Sequence, residues 1–196
     1  HDITSPREGV DVQPTSEPKA VRLPNTPTVR RHLSMCKERA AYYATIGAIE
    51  RLSEAPSVVQ PLHVVLRAGR KPRLVIDLAR NLNDMIDAEP FHYQRFSDAV
   101  RKSYEGCFYI KEDLSDCFLS FPVNERSRRH LAFELDGGFF RFKRLPFGLC
   151  SSPYWCERFL SVVDFYIESL GLLHVRYVDD FLVICQSEEE ARAHAE

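Results

Sequence analysis

Two adjacent acidic residues interrupt a long apolar stretch near the C-terminal end of the chain, and this feature constrains the fold most. Asp179 and Asp180 stand between apolar runs at 172–178 and 181–185. Two short apolar runs separated by two residues predict two strands joined by a tight hairpin. Asp is common in turns because its side chain bonds its own backbone, so an ordinary acidic turn is one interpretation. Two neighbouring carboxylates on an apolar hairpin nevertheless repel each other unless a cation offsets their charge.

A third acid, Asp113, follows a predicted strand at 107–112 in a similar way. If that strand pairs with the hairpin of 172–185, Asp113 and Asp179 can share one metal cluster. Mg²⁺ prefers carboxylate oxygens, and a pair of such ions stabilises the attacking and leaving oxygens of a phosphoryl transfer. Spacing alone leaves both interpretations open, a metal site and ordinary acidic turns.

Composition and charge set broad limits on what the chain does. It has 196 residues, of which 44% are hydrophobic, enough for one core or for two lobes that share one. A net charge of −2 argues weakly against nucleic-acid binding, because phosphate contacts need Lys and Arg. Basic residues are concentrated, however, with five against one acid in 65–80 and six against two in 126–144. Each stretch is either a solvated face or a phosphate-binding surface.

The cysteines and the termini suggest the setting of the chain. None of the six cysteines forms a CxxC pair and most lie in apolar runs, which predicts reduced, buried thiols in an intracellular protein. We see no signal peptide and no stretch long enough to span a bilayer, so no membrane partner is expected. The chain begins at His1 and ends soon after a capping-box pattern at 187–190, so we expect a fragment of a longer protein.

Local patterns predict the remaining elements. Residues 1–27 are proline-rich and polar and predict an extended or disordered arm, whereas 28–54 has helical spacing and predicts one or two helices. The further predicted elements, in chain order, are a β-hairpin of 58–66 and 73–78 with a basic tip at 67–72, a short helix capped by Ser97-Asp98 and ending near Gly106, a β-hairpin of 130–135 and 139–144, and a helix over 151–170 capped by Ser151 or Ser152.

Four segments occur in a characteristic order, at 73–83, 113–123, 145–153 and 177–180. They read Arg73-Leu-Val-Ile-Asp77, Asp113-Leu-Ser-Asp-Cys-Phe118, Leu145-Pro-Phe-Gly148 and Tyr177-Val-Asp-Asp180. This order resembles the reverse transcriptases of retroviruses and retrotransposons over about residues 58–185, and the Leu-Pro-Phe-Gly form resembles gypsy-like or DIRS-like elements. One extra residue between Asp77 and Asn83 departs from the family pattern and leaves the local register open.

The resemblance implies an α+β fold, the fingers and palm of a right-hand polymerase, with an antiparallel ferredoxin-like palm sheet backed by helices. The implied fingers are 28–88 and 121–150, the implied palm is 89–120 and 151–186, and 187–196 begins a truncated palm helix. The implied reaction adds a deoxynucleotide to a primer 3′-hydroxyl on an RNA or DNA template. The implied partners are a primed template, dNTPs and a downstream thumb and RNase H of the same polyprotein, in the cytoplasm, a virus-like particle or the nucleus.

The resemblance also assigns residues to roles. Asp113, Asp179 and Asp180 match the catalytic acids, and with the Leu114 carbonyl they would hold two Mg²⁺ ions, with Mn²⁺ as a substitute. The residues implied for nucleotide binding are Arg73, Arg67, Asp116, Cys117, Phe118, Phe147 and Gly148. Those implied for primer or template contact are Tyr177, Val178 and Pro153.

Two of these roles have ordinary alternatives that the sequence leaves open. The planar fork of Arg73 suits bidentate contact with a triphosphate, but it also suits an exposed charge at a strand end. Phe118 matches a steric gate that excludes a ribose 2′-hydroxyl, but ordinary core packing would also explain a phenylalanine. At the level of the whole chain, the alternatives are a domesticated, inactive nucleic-acid-binding or assembly module and another metal-dependent phosphoryl-transfer enzyme such as a nuclease.

Overall fold

The computed structural model describes residues 8–12, 14–87 and 89–195. It divides the chain into two compact units: unit 1 comprises His1–Glu89 and Phe118–Ser152, and unit 2 comprises Pro90–Cys117 and Pro153–Glu196. The strands are β1 Val21–Arg22, β2 Ile49–Leu52, β3 Val58–Val59, β4 Leu62–Val65, β5 Arg73–Ile76, β6 Phe108–Asp113, β7 Ala132–Leu135, β8 Gly138–Phe142, β9 Leu173–Tyr177 and β10 Asp180–Cys185. The α-helices are α1 Pro27–Arg31, α2 Leu33–Thr45, α3 Phe96–Lys102, α4 Glu125–Arg128, α5 Ser152–Ser169 and α6 Glu188–Ala195, and short 3₁₀ helices occupy Asn83–Met85 and Cys117–Ser120.

Unit 1 is built around an antiparallel sheet in the order β2-β8-β7. The predicted hairpin of 130–144 is confirmed: β7 and β8 pair through a turn at Asp136 and Gly137, both of which have positive φ. Such a turn matches the right-handed twist of the strands that it joins. Phe133 and Phe142 lie fully buried on this sheet, with ring centroids 5.3 Å apart, so the sheet carries much of the unit's core.

The hairpin predicted from strands at 58–66 and 73–78 is confirmed over 62–65 and 73–76, where β4 pairs with β5. Leu62, Val64, Leu74 and Ile76 are buried on one face, the alternation expected of a half-buried hairpin. Val65 pairs with Arg73, and the tip between them is exposed except for partial burial of Pro72. Residues 58–59 form the separate strand β3, which pairs in parallel with β1.

Two predictions from local pattern were partly wrong. Residues 49–52 were expected to be helical, but they form β2 and pair with β8, Ile49 opposite Phe142. The helix ends at Thr45, and Gly47 at φ +70° turns the chain back, so pairing with β8 overrides the helical spacing of the apolar residues. Helix α3 begins at Phe96 and not after Ser97-Asp98; Asp98 lies inside it and accepts a bond from the Arg95 backbone N–H at 2.6 Å.

The described part of the predicted arm is extended and packs on unit 1. Val10 and Val12 are buried, Val10 bridges to Val123, and β1 pairs with β3. Residues 8–12 and 14–26 thus gain backbone bonds and apolar contacts with unit 1, and α1 begins at Pro27. Residues 1–7 and 13 lie outside the described part of the chain.

Unit 2 contains an antiparallel sheet in the order β6-β10-β9. Strand β6 pairs with β10 rather than with β9, the next strand of unit 2. Within this unit the order strand, helix, strand, strand, helix (β6, α5, β9, β10, α6) follows a ferredoxin-like pattern. The long helix predicted at 151–170 is confirmed as α5. The Gly171 and Leu172 amides bond back to the Glu168 and Ile167 carbonyls, which ends the helix at a glycine.

Helix α6 begins as its sequence predicts. The Ser187 hydroxyl accepts a bond from the Glu190 amide at 3.1 Å, and the Glu190 carboxylate accepts one from the Gln186 amide at 2.5 Å. Ala191 of this helix packs with Ile110, Leu172, Val183 and Cys185 in the core of unit 2. Across the described residues, no helix is both long enough and apolar enough to span a membrane.

Candidate active site

Three aspartates meet at one end of the sheet of unit 2. Asp113 is the last residue of β6 and Asp180 the first of β10, and their Cα atoms are register partners. Because Tyr177 pairs with Asp180, the turn between β9 and β10 consists of Val178 and Asp179. The prediction that Asp179 and Asp180 form the turn is therefore wrong by one residue, since Asp180 already belongs to the ladder. The Leu114 amide donates to the Asp179 carbonyl at 3.1 Å and ties the two acidic segments together.

The carboxylates of Asp113, Asp179 and Asp180 place one oxygen each within 4.8 Å of one another. Repulsion between carboxylates at about 4 Å costs on the order of 1 kcal/mol per pair in bulk water and several times more near a protein surface. The Lys111 ammonium, 3.6 Å from an Asp180 oxygen, offsets part of this charge. Three hard oxygen donors converging on one point fit a divalent cation such as Mg²⁺ or Mn²⁺.

The turn that carries Asp179 has an unusual backbone. Val178 adopts φ +59°, a left-handed conformation that β-branched residues rarely take. Such a residue costs on the order of 1–3 kcal/mol and persists only where its surroundings hold it. The Val178 carbonyl accepts a bond from the Arg176 guanidinium at 3.1 Å, which is one such contact.

Unit 1 brings three of the predicted nucleotide-binding residues together. The Arg73 guanidinium lies over the Phe147 ring at 5.0 Å, and the Phe147 and Phe118 ring centroids are 5.3 Å apart. Backbone bonding fixes this arrangement, because the Ile76 amide of β5 donates to the Phe147 carbonyl at 2.9 Å. All three side chains are partly exposed, so they are available to a ligand as well as to each other.

Gly148 lies where no other residue would fit. It has φ +107°, and a Cβ at this position would collide with the Ile76 carbonyl oxygen. Asn83, to which the sequence alone assigned no role, holds the same loop: its amide nitrogen donates to the Gly148 carbonyl at 2.9 Å and its oxygen accepts from the Cys150 amide at 3.0 Å. Asn83 ends the ordered segment at 73–83, and this position was the one sequence feature that pointed to a role for it.

The other predicted residues are placed as follows. Asp116 takes φ +53° in the turn before the 3₁₀ helix, and Pro153 lies in the first turn of α5. Cys117 is buried with its sulfur 3.5 Å from that of Cys156, so it does not present a free surface to a ligand. Arg67 is exposed in the hairpin tip, beyond the paired part of β4 and β5 and apart from the Arg73–Phe147 contact.

Aromatic neighbours of Tyr177 were missed by sequence reasoning. The ring centroid of Tyr93 is 5.2 Å from that of Tyr177 and 4.9 Å from that of Phe91. Burial and the nearby Cys156, Glu157, Tyr177 and Asp179 raise the pKa of Tyr93 to about 12, so its hydroxyl stays protonated. The segment of 89–95 has no periodic pattern, which left no sequence signal for this cluster.

Known proteins share both the sequence pattern and the fold. A family model described as "Reverse transcriptase (RNA-dependent DNA polymerase)" matches residues 31–196. The chain belongs to the reverse transcriptase family. It is 34% identical over 121 residues to the "Retrovirus-related Pol polyprotein from transposon 412" of Drosophila melanogaster, covering 61% of this chain and 10% of that protein. It is 27% identical over 145 residues to the "Putative enzymatic polyprotein" of Cassava vein mosaic virus, covering 71% of this chain and 21% of that protein.

Solved reverse transcriptases have the same fold. The structure of a foamy viral protease-reverse transcriptase in complex with an RNA/DNA hybrid matches with a TM-score of 0.73 at 20% identity, covering 94% of this chain and 24% of that one. The native crystal structure of the prototype foamy virus protease-reverse transcriptase gives a TM-score of 0.71 at 18% identity, covering 94% of this chain and 24% of that one. The α+β right-hand polymerase fold is therefore confirmed, while this reverse transcriptase chain spans only a small part of its relatives.

Proposed function

We propose that this chain carries the catalytic centre of an RNA-directed DNA polymerase, which adds dNTPs to a primer 3′-hydroxyl. The observation that carries the proposal is the convergence of Asp113, Asp179 and Asp180 oxygens within 4.8 Å in a chain of the reverse transcriptase family. An exposed acidic turn in general needs no metal, but three carboxylates that meet at one point repel each other, and a divalent cation would relieve that repulsion.

The aspartates would act as ligands and not as covalent reactants. Asp113 and Asp179 would hold two Mg²⁺ ions with help from Asp180 and the Leu114 carbonyl. Two such ions supply charge neutralisation at the attacking and leaving oxygens of phosphoryl transfer. Lys111 keeps part of the negative charge balanced before ligands arrive. The sheet register, Asp180 opposite Asp113, fixes the spacing of the ligands, so that positioning is the main contribution of the protein.

Residues of unit 1 would contact the incoming nucleotide. Arg73 would bind the triphosphate through its planar fork, and its stacking on Phe147 would hold the guanidinium in place. Phe118 would exclude a ribose 2′-hydroxyl, and its contact with Phe147 supports the ring from one side. Gly148 would let the backbone approach closely, and Arg67 and Asp116 would complete the surroundings of the nucleotide. Cys117, buried against Cys156, would not contact the nucleotide with its side chain. Tyr177, Val178 and Pro153 would contact the primer or template.

We further propose that units 1 and 2 correspond to fingers and palm, and that a downstream thumb and RNase H belong to the same polyprotein. A primed RNA or DNA template is the partner that the family and the solved complex with an RNA/DNA hybrid support. All six cysteines are free thiols, in keeping with action inside a cell, in the cytoplasm, a virus-like particle or the nucleus.

Primer extension tests the proposal. The polyprotein product that carries these residues, given a primed RNA template, dNTPs and Mg²⁺, should extend the primer, and Asp179→Ala should reduce extension by roughly 100-fold or more because a metal ligand is lost. Asp136→Ala is the matched control, since Asp136 also lies in a two-residue hairpin turn. Extension that survives Asp179→Ala would remove the aspartate from the catalytic centre.

The role of Phe118 has a separate test. Phe118→Val should leave dNTP incorporation measurable and raise the incorporation of rNTPs relative to dNTPs by about 10-fold or more, because the clash with the 2′-hydroxyl is relieved. The control is Phe140→Val, which removes a ring from unit 1 that stacks on Phe133. An unchanged ratio of kcat/KM values for the two nucleotide classes would show that Phe118 only packs the core.

A further inference from the structure

Arg176 is a buried cation on the strand that leads into the catalytic turn. Its side chain is 3% exposed. All five guanidinium N–H groups have acceptors: Nε and one Nη2 hydrogen reach Asp164, the second Nη2 hydrogen and one Nη1 hydrogen reach Glu157, and the remaining Nη1 hydrogen reaches the Val178 carbonyl. A buried cation is stable only when it is paired and hydrogen-bonded to this extent.

The two acidic partners lie on one face of α5. Glu157 and Asp164 are seven residues apart, two helical turns, and both face Arg176 of β9. Asp164 also bonds the buried His174 ring at 3.0 Å. Burial alone would raise the pKa of Asp164, but the bonds from His174 and Arg176 outweigh it and hold the pKa at about 2. Asp164 therefore stays ionised at neutral pH.

The same guanidinium reaches the backbone of the turn. Its bond of 3.1 Å to the Val178 carbonyl acts on the residue that has the unfavourable φ of +59° and that immediately precedes Asp179. On the other side, the Arg176 amide donates to the Gln94 side chain at 2.8 Å. Arg176 thus connects α5 and the segment of 90–95 to the turn that presents one of the three acids.

We propose that Arg176 is a positioning residue that fastens the Val178–Asp179 turn to α5 through Glu157 and Asp164 and so keeps Asp179 directed at the acidic cluster. The catalytic part of this inference rests on the proposed polymerase function. The positioning part concerns the geometry of the turn and does not depend on the polymerase function. A lysine cannot replace the arginine, because a single ammonium with three donors cannot serve two carboxylates and a carbonyl in one plane.

The test compares Arg176→Lys with Arg101→Lys, since Arg101 forms an exposed ion pair with Asp98 in the same unit. Hydrogen exchange of a peptide covering 177–180 and the affinity for Mn²⁺, followed by electron paramagnetic resonance, are measured in the purified chain under conditions where each variant is folded. Arg176→Lys should accelerate exchange of the turn and weaken Mn²⁺ binding, each by about 10-fold or more, whereas Arg101→Lys should change neither.

Steady-state kinetics on the primed template show whether Arg176 affects the catalytic step or nucleotide binding. In the polyprotein product, Arg176→Lys should lower kcat by about 10-fold and leave KM for dNTP within about 2-fold, because the nucleotide contacts proposed for unit 1 are untouched. A folded Arg176→Lys protein with turn exchange and Mn²⁺ affinity equal to those of Arg101→Lys would overturn the proposal.

Should Arg176→Lys fail to fold, Glu157→Gln decides by the same criteria, since it keeps the Asp164 pair and weakens only one arm of the network. The two proposals fail separately. If Asp179→Ala leaves primer extension unchanged, the polymerase assignment falls, while the exchange data still decide whether Arg176 holds the turn. If exchange is unaffected by either variant, the positioning role falls and the polymerase assignment stands.

Discussion

In the part of the chain that the structure describes, the β7–β8 and β9–β10 hairpins both turn within two residues but use different residue types. The β7–β8 turn places Asp136 and Gly137 at φ +51° and +73°, with residue types that accept left-handed backbone. The β9–β10 turn places a valine, Val178, at φ +59°. The first turn is built from residue types that accept its backbone conformation, whereas the second needs contacts from outside the turn, and Arg176 supplies one. Local strain at this point accompanies the acid that the proposed chemistry depends on.

Placing a valine in the β7–β8 turn and a glycine in the β9–β10 turn should show the largest difference between the two turns in the free energy of unfolding. Gly137→Val forces a β-branched residue into the left-handed region without any contact to hold it, and should lower the free energy of unfolding by about 2–3 kcal/mol in urea titrations. Val178→Gly, the reciprocal control, relieves strain but loosens the unfolded chain, so its net change should stay under about 1 kcal/mol. Equal losses for both variants would show that the two turns do not differ in strain.

Low pH should destabilise the β9–β10 turn and leave the β7–β8 turn unchanged. Asp164 has its pKa lowered from the ordinary 3.8 to about 2, so its contribution to stability is present above about pH 4 and is lost as the pH falls through about 2. That shift corresponds to about 2 kcal/mol at neutral pH. Asp164→Asn should therefore be less stable than wild type by about that amount at pH 7, and the difference should vanish near pH 2.

Hydrogen exchange locates this effect within the molecule. Asp164→Asn should accelerate exchange at 177–180 and leave 135–138 unchanged, since Asp136 pairs with Lys37 and not with the network of α5. A stability difference that persists unchanged to pH 2 would mean that Asp164 contributes by packing and not by its charge.

How far the sequence alone predicts this molecule differs between local and long-range features. The convergence of Asp113, Asp179 and Asp180 could be predicted because the ordered segments carry these acids at the ends of predicted strands. Helix α5 could be predicted because its spacing, proline and Gly171 agree. The strand at 49–52 could not be predicted from its own sequence, because pairing with the distant strand β8 determines its conformation. The position of the turn was missed by one residue, because apolar Val178 belongs to the strand by composition and to the turn by geometry.

The supporting contacts were beyond local reasoning for a different reason. Asn83 bonds to Gly148 and Cys150, more than sixty residues further along the chain. The Arg176 network depends on which face of α5 packs against β9. One signal did exist: Glu157 and Asp164 fall on one face of a predicted helix, and Arg176 lies on the strand that follows it. Acids two turns apart on a helix, followed by an arginine in an apolar strand, predict a buried ion pair without saying what it supports.

Mn²⁺ titration of the purified chain shows whether Asp113, Asp179 and Asp180 form a divalent-metal site. Electron paramagnetic resonance at low ionic strength should show saturable Mn²⁺ binding that Asp113→Asn weakens by roughly 100-fold or more and that Asp136→Asn leaves unchanged. Binding of equal strength in wild type and Asp113→Asn would show that the ion is not held by these three aspartates.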